Sequence, residues 1–552
     1  MAKFDKSMFE YVVDETQRLQ RKNRVWDFYG ASIGIGEFID TVKSFGGYLQ
    51  SLGIGKGDNV VLCLGNIPDA IVAFYAINNI GAVANLVHPL IPAEGLKKIS
   101  DEMNPKAFVL FDEFYSKYDW LEKSDKPVIL CSASDFLPRL FKLPYNLFIR
   151  SKVKNINYGE RVIKFKDTLN KFTCKNIEIK GDDIAVYMHS GGTTGTPKTV
   201  MLSNDAFNHL ADNIIDLIGG GVDDSESMLM VLPLFHTFGL GICMHTVISA
   251  GGRATLMPKF RPKAACRLVK RAKVTYMAGV PNMYAKMVSC GKFKGKYLRR
   301  IKNCYCGGEK LSDDIKKAFE NAMAKSGNPI KLCAGYGLTE GGICCVNTMD
   351  IHREGSMGKP VKNNKFGIVD DENRFLNPND KGVIALTCNS MMSGYYNSPE
   401  LDKEVFFYDG LGQKWIKTGD IGYMDEDGYV YFVDRLKRMV KISGVNVFPQ
   451  EIEDCVNKFG GIAKSCIVSY VDNGKTFLKL YIVVENGVVG SDEYVESLRA
   501  YISENLLKYN IPKIIEIVES LPLTQIGKVD FKILQDRENE KSVFCSKSLS
   551  NE

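Results

Sequence analysis

Residues 189–200 read His-Ser-Gly-Gly-Thr-Thr-Gly-Thr-Pro-Lys-Thr-Val, and this stretch limits the chain more than any other. Before it, Asp183–Met188 is a short apolar run with the pattern of a buried strand. After it, Ser203 is suited to cap a helix reaching about Ile218. The order predicted is strand, small-residue loop, helix. Gly191, Gly192 and Gly195 let a backbone bend tightly and turn its N–H groups toward an anion. Ser190, Thr193, Thr194 and Thr196 add hydroxyl donors, and Lys198 adds a positive charge. Glycines alone would read as a surface loop; together with the hydroxyls and the cation they predict a polyphosphate site. It is not a Walker A loop, because Thr196 and Pro197 separate Gly195 from Lys198. The glycine spacing also excludes the dinucleotide fingerprint.

A chain of 552 residues is too long for one simple core, so two or more domains are expected. The net charge of +6 is small for this length, and basic residues do not run in blocks, which leaves nucleic-acid binding without support. None of the 15 cysteines forms a CxxC pair, and the six histidines include no HExxH, so no zinc site is expected. Scattered thiols and a polar Met1–Glu10 without an apolar signal core point to a reducing, cytoplasmic setting. No run is apolar enough to predict a membrane span.

Strand patterns at Val60–Leu64, Ala107–Phe111 and Pro127–Cys131, with a helix from Pro68 to Ile80, predict a largely parallel α/β layer within residues 1–180. The mixed apolar and basic segment 136–152 reads either as peripheral membrane attachment or as a connecting segment; its prolines favour the latter. Strands at Ser227–Leu232, Val274–Pro281 and Ile301–Cys306, with a helix at Phe238–Ala250, predict a second doubly wound layer in residues 181–330. Shorter strands and frequent turns over Lys331–Arg435 predict a small β-rich subdomain. Residues 435–535 read as a compact α+β unit, with helices at Pro449–Lys458 and Ser491–Leu507 and a strand at Phe477–Glu485. Asp536–Glu552 reads as a disordered polar tail.

Five ordered stretches resemble the adenylate-forming superfamily, which includes acyl-CoA synthetases, luciferases and peptide-synthetase adenylation domains. They are Ser190–Lys198, Tyr336-Gly337-Leu338-Thr339-Glu340, Thr418-Gly419-Asp420, Asp434–Gly444 followed by Pro449 and Glu451, and Gly527-Lys528. The resemblance spans about residues 25–535. It implies a large domain, 1–434, holding ATP and an acid, and a small mobile domain, 435–535. It implies that the 190–198 loop holds the β- and γ-phosphates, Thr339 donates to phosphate and Glu340 binds Mg²⁺. Asp420 and Arg435 would hold the ribose, and Gly308-Glu309 would sit against adenine. His236 and Tyr336 would stand at the acid pocket with Gly279-Val280-Pro281. Lys437 matches the hinge, with Gly444 beyond it. Lys528 matches the mobile catalytic lysine, although Gln525-Ile526 departs from the usual residues before it.

The reaction implied is acid + ATP + coenzyme A to acyl-CoA, AMP and pyrophosphate, and the pattern is most like bacterial fatty acyl-CoA ligases. An aryl-acid ligase and a ligase loading an acyl carrier protein are alternatives. Amino-acid adenylation is disfavoured because Leu234-Phe235-His236 lacks the acid that pairs a substrate ammonium. A non-catalytic nucleotide sensor is disfavoured by Glu340, Asp420 and Lys528 occurring together.

Overall fold

The structure is a computed structural model. It describes residues 3–19, 24–138, 140–142, 145, 156–190, 198–219, 222, 225–442, 445–472, 475–523 and 529–548. The chain divides into two compact units, Met1–Phe366 with Leu386–Ile416, and Gly367–Ala385 with Lys417–Glu552.

In chain order the first strands are β1 (Arg24–Phe28), β2 (Ala31–Gly34), β3 (Asn59–Cys63), β4 (Val83–Leu86), β5 (Ala107–Phe111), β6 (Val128–Cys131) and β7 (Val162–Lys164). Next come β8 (Ile184–Ser190), β9 (Lys198–Ser203), β10 (Ser227–Met230), β11 (Arg253–Leu256), β12 (Tyr276–Gly279) and β13 (Asn303–Cys306). Then follow β14 (Leu332–Leu338), β15 (Gly342–Val346), β16 (Lys359–Pro360), β17 (Lys365–Val369), β18 (Gly382–Thr387), β19 (Gly394–Tyr395) and β20 (Phe406–Tyr408). The last are β21 (Lys414–Met424), β22 (Val430–Arg435), β23 (Val440–Ile442), β24 (Val445–Val447), β25 (Ile462–Asp472), β26 (Lys475–Val484) and β27 (Ile514–Ile517).

Two large sheets have the orders β19-β9-β8-β4-β3-β5-β6-β7 and β16-β15-β14-β13-β12-β10-β11-β1-β2. Their interiors are parallel, and their edges are antiparallel except at β7, which pairs parallel with β6. The two α/β layers expected are therefore present, but they are not consecutive in the chain. β1 pairs with β11 (Trp26↔Ala254), and β8 pairs with β4 (Ala84↔Val186), so each sheet borrows strands from the other half of the sequence. Burial decides this pairing: Trp26 and Val186 lie in the core. The helix predicted from Pro68 to Ile80 runs over Pro68–Asn79, starts on its proline and is buried on nearly every side, as an all-round apolar helix must be. Short strands β16 to β20 match the expected pattern beyond Lys331, but β14 to β16 end the nine-stranded sheet and β19 the eight-stranded one, so the segment does not form a single β-rich subdomain.

In the second unit β25-β26-β27 form a sheet beside the hairpin β23–β24. Ile452, Ile467, Leu480, Leu498 and Ile502 fill its core. The tail expected from Asp536 is instead part of a helix, Phe531–Ser548. Leu534 is buried against Cys466, Val468 and Tyr481, and polar groups add to the hold where apolar periodicity is lacking. Glu538 accepts from the Tyr481 hydroxyl at 2.6 Å and from Lys479 Nζ at 3.1 Å, and Gln535 Nε2 donates to the Ser469 carbonyl at 2.7 Å. Lys479 is also paired with Glu516 at 2.7 Å.

Candidate active site

The run Gly191–Pro197, with Gly191, Gly192, Thr193, Thr194, Gly195 and Thr196, lies outside the described residues, but both its ends are placed. β8 and β9 pair antiparallel through Met188↔Val200, His189↔Thr199 and Ser190↔Lys198. The loop thus joins two strands of a ribbon, which corrects the strand–loop–helix expectation. Lys198–Ser203 alternates well enough to bury Val200 and Leu202, and only then does the helix Asn204–Leu217 begin, with Ser203 at its cap position. His189 braces the ribbon. Its Nε2 donates to the Asn85 side-chain oxygen at 2.7 Å, and its Nδ1 therefore accepts from the Thr199 hydroxyl at 3.0 Å. Burial pushes this ring's pKa down to about 4, so it stays neutral.

Tyr336–Leu338 close β14, and the turn Thr339–Gly341 leads into β15, which is the strand-end placement predicted for Glu340. At Gly337 a Cβ would come 2.4 Å from the Gly342 carbonyl oxygen, so the tight hairpin requires glycine there. Half-buried Glu340 accepts from the Tyr395 hydroxyl at 3.0 Å, and the Lys198 ammonium stands 4.7 Å from the Tyr395 ring centroid. Tyr395 lies in β19, opposite Val200 of β9. This one tyrosine therefore gathers the loop's cation and the carboxylate of the second motif. Burial and the Glu340 charge raise its pKa, so it remains a donor. Sequence reasoning missed Tyr395 and gave His189 no role. Within Met392-Ser-Gly-Tyr-Tyr396 nothing local marks the tyrosine, and it becomes visible only through pairing across nearly 200 residues.

Gly307 follows β13, donates to the Gly279 carbonyl at 3.0 Å, and would bring a Cβ within 3.3 Å of the Phe238 ring. Gly308 has φ +80°, and Glu309 beside it is exposed. His236 is exposed in the turn after β10, its ring 4.8 Å from that of Phe235. The helix predicted from Phe238 is present, but over Phe238–Thr246 it is wound as a π-helix before an α turn at Val247–Ser249. It buries His245, whose two nitrogens meet the Tyr75 hydroxyl and the Asn208 side-chain oxygen, each at 3.1 Å. One face of this helix, with Ile214, Met228, Tyr276, Tyr305 and Ile343, lines a narrow cavity of about 30 Å³. Among the described residues Glu226 is the one carboxylate in its wall, and it is ion-paired with Lys302.

In the second unit Asp420 stands opposite Arg435 in the β21–β22 ladder, and Arg435 Nε lies 2.8 Å from Asp420 Oδ1. Asp420 is 1% exposed, while its partner's side chain is largely exposed. Gly419, with φ +73°, makes the bend before it, and the Thr418 hydroxyl accepts from the Asp420 amide. Asp434 accepts from the Arg435 and Gln450 amides, both at 2.7 Å, and so ties β22 to the start of the helix Pro449–Val456. Burial raises its pKa. Lys437 is exposed on the single turn Leu436–Arg438, and beyond it buried Arg438 is paired with Glu453 at 2.5 Å. Gly444 and Lys528 lie outside the described residues. The described residues on either side of 524–528, Leu523 and Val529, pair in an antiparallel bridge.

Comparison with known families resolves what these parts belong to. Residues 15–396 match the AMP-binding enzyme family, and residues 451–528 match its C-terminal domain. The chain belongs to the AMP-binding enzyme family. Among relatives of this AMP-binding enzyme is the long-chain-fatty-acid–CoA ligase of Bacillus subtilis (strain 168), 27% identical over 550 residues, covering 97% of this chain and 95% of the relative. The 4-coumarate-CoA ligase 1 of Narcissus pseudonarcissus is 28% identical, with 90% and 87% covered. In fold the chain is similar to ATP-bound MatB from Rhodopseudomonas palustris, with a TM-score of 0.83 at 22% identity over 97% of this chain and 99% of that one. It also resembles a benzoate CoA ligase from Burkholderia xenovorans LB400, with a TM-score of 0.79 at 20% identity, covering 96% and 99%. The reaction class is that of an ATP-dependent acid–thiol ligase. Among the described residues no helix is long and apolar enough to cross a membrane.

Proposed function

We propose that this enzyme activates an apolar monocarboxylic acid, best a fatty acid, as its acyl-adenylate and passes the acyl group to coenzyme A. The observation that carries the reading is the apolar cavity behind Phe238, a residue that also packs against Gly307. The wall is apolar, with Phe238, Tyr276 and Tyr305 beside aliphatic side chains, which favours an apolar acid, and Glu226, already engaged by Lys302, offers no ready partner for a substrate ammonium. Burying an unpaired ammonium there would cost several kcal/mol, roughly. A cavity of about 30 Å³ has room for little more than one water, so Phe238 and Ile242 must turn aside to admit an acyl chain.

The remaining roles are assigned on the same footing. The acid's carboxylate oxygen attacks the α-phosphorus of ATP, and pyrophosphate leaves. Loop residues 190–198, with Thr339, hold the phosphates; Asp420 and Arg435 hold the ribose; Gly308 and Glu309 meet the adenine; Tyr336 and His236 border the acid. Lys528 stabilises the charge that builds on the α-phosphate. Among the described residues no three acidic, histidine or cysteine side chains form a metal cage. A single carboxylate, Glu340, oriented by Tyr395, suits Mg²⁺, which keeps waters and takes phosphate oxygens as its other ligands. That ion would neutralise phosphate charge. In the second half-reaction the thiol sulfur attacks the acyl carbon and AMP leaves. We place the pivot between the half-reactions at Arg435-Leu436-Lys437.

The test is a panel of fatty, aryl and amino acids in ATP–pyrophosphate exchange, followed by coenzyme A or acyl carrier protein as acceptor. Fatty acids with coenzyme A should lead. Saturating exchange with a free amino acid alone, or formation of ADP, would overturn the reading; transfer to carrier protein alone would change the acceptor.

A further inference from the structure

Two thiols in the first unit belong to none of the motifs above. Cys266, on the helix Pro262–Arg271, and Cys290, capping the end of the helix Pro281–Ser289, bring their sulfurs within 3.7 Å. Both approach the carbonyl of Met287, Cys290 Sγ at 3.0 Å and Cys266 Sγ at 4.0 Å. Cys266 is sealed in the core, 2% exposed, among Met287, Phe293 and Leu298. Cys290 is half-buried and reaches solvent. One thiol is thus open to a small oxidant while its neighbour is shielded and already in contact.

We propose that Cys266 and Cys290 form a peroxide-sensitive dithiol that closes to a disulfide joining these two helices. In the first step the Cys290 sulfur attacks a hydroperoxide, the O–O bond breaks, and the outer oxygen leaves as alcohol or water, giving a sulfenic acid. In the second, the Cys266 sulfur attacks the Cys290 sulfur. The S–O bond breaks, and hydroxide departs with the Cys266 proton as water. Two electrons pass from the thiols to the peroxide, and the sulfurs draw together from 3.7 Å to about 2.05 Å. Burial raises the Cys266 thiol to about 12, which keeps it protonated and makes it the second thiol to react. The closure bears on the cavity wall. The second helix reaches that wall through Tyr284, whose hydroxyl donates to the Tyr305 carbonyl at 2.9 Å.

The full-length enzyme, treated with hydrogen peroxide, should be alkylated under denaturing conditions and digested with trypsin without reduction. The expected product is a linked pair of the peptides 264–267 and 287–292, lost on reduction. In Cys266→Ser, Cys290 should stop at the sulfenic acid and be captured by a dimedone-type probe; in Cys290→Ser, Cys266 should stay unmodified. Both variants, in reducing buffer, should keep wild-type ligase activity, which shows that they fold. The proposal fails if both peptides come from treated wild-type protein as separate alkylated thiols. It fails equally if Cys290 gives the same product with and without Cys266.

Discussion

If the acyl chain lies in the cavity behind Phe238, shortening one wall residue should lengthen the preferred acid. Ile242, on the π-helix, is 4% exposed and lines that cavity. Ile242→Ala removes about three carbons, each worth about 0.8 kcal/mol when an acyl methylene takes its place. That is about fourfold in kcat/KM per carbon, and about 60-fold at most for an acid three carbons longer. The empty site costs about 2–5 kcal/mol of stability, so thermal unfolding must confirm that the variant is folded at the assay temperature. The assay is kcat/KM for pyrophosphate exchange along straight-chain acids from butanoate to octadecanoate, in both proteins. The optimum should move about three carbons upward, with the shorter acids losing activity. A folded variant with an unmoved optimum, or a wild-type profile flat along the series, would take Ile242 and the cavity out of substrate recognition.

Tyr395→Phe removes the donor on Glu340, a hydrogen bond to a charged group worth about 1.5–3 kcal/mol. Use of Mg-ATP should fall about tenfold to a hundredfold with the KM for acid unchanged, which steady-state kinetics will show. Burial lowers the His245 pKa to about 3, against about 6.5 in the unfolded chain. Below pH 6.5 the unfolded state takes up a proton that the folded state refuses, so this ring costs about 1.4 kcal/mol of stability per pH unit as pH falls. His245→Gln should lose about 2 kcal/mol less than wild type between pH 7 and 5, read from urea midpoints; an equal loss refutes the assignment. Lys528→Ala should slow acyl-AMP formation about 10²-fold or more, yet spare thioester formation from supplied acyl-AMP. If the pivot lies at Arg435-Leu436-Lys437 as proposed, Lys437→Pro should do the reverse, because proline fixes φ there. Such a rotation would also release the Asp434–Gln450 hydrogen bond. Equal losses in both half-reactions would retire the hinge.

Much of the parallel core was legible in the sequence, because buried strands such as Ala107–Phe111 are unbroken apolar runs and Pro68 marks a helix start. The strand end at Glu340 was legible from its glycines. What escaped was set by distant partners. β9 follows a proline and a glycine-rich run, and it reads as strand only beside β8. Tyr395 gains its place through the β9–β19 pairing, and β1 through β11. The final helix escaped because, beside the buried Leu534, it is held to the sheet by Glu538 and Gln535, which are polar in sequence.

The same contact constrains how this protein can change over generations. Lys479 and Glu538 are each about 5% exposed, and losing either one leaves a buried charge short of a partner, at about 3–5 kcal/mol. Glu516 still holds Lys479 at 2.7 Å if the glutamate is lost, which softens that loss without removing it. Neither position is therefore free to drift alone, and lineages should exchange both residues together for an apolar pair.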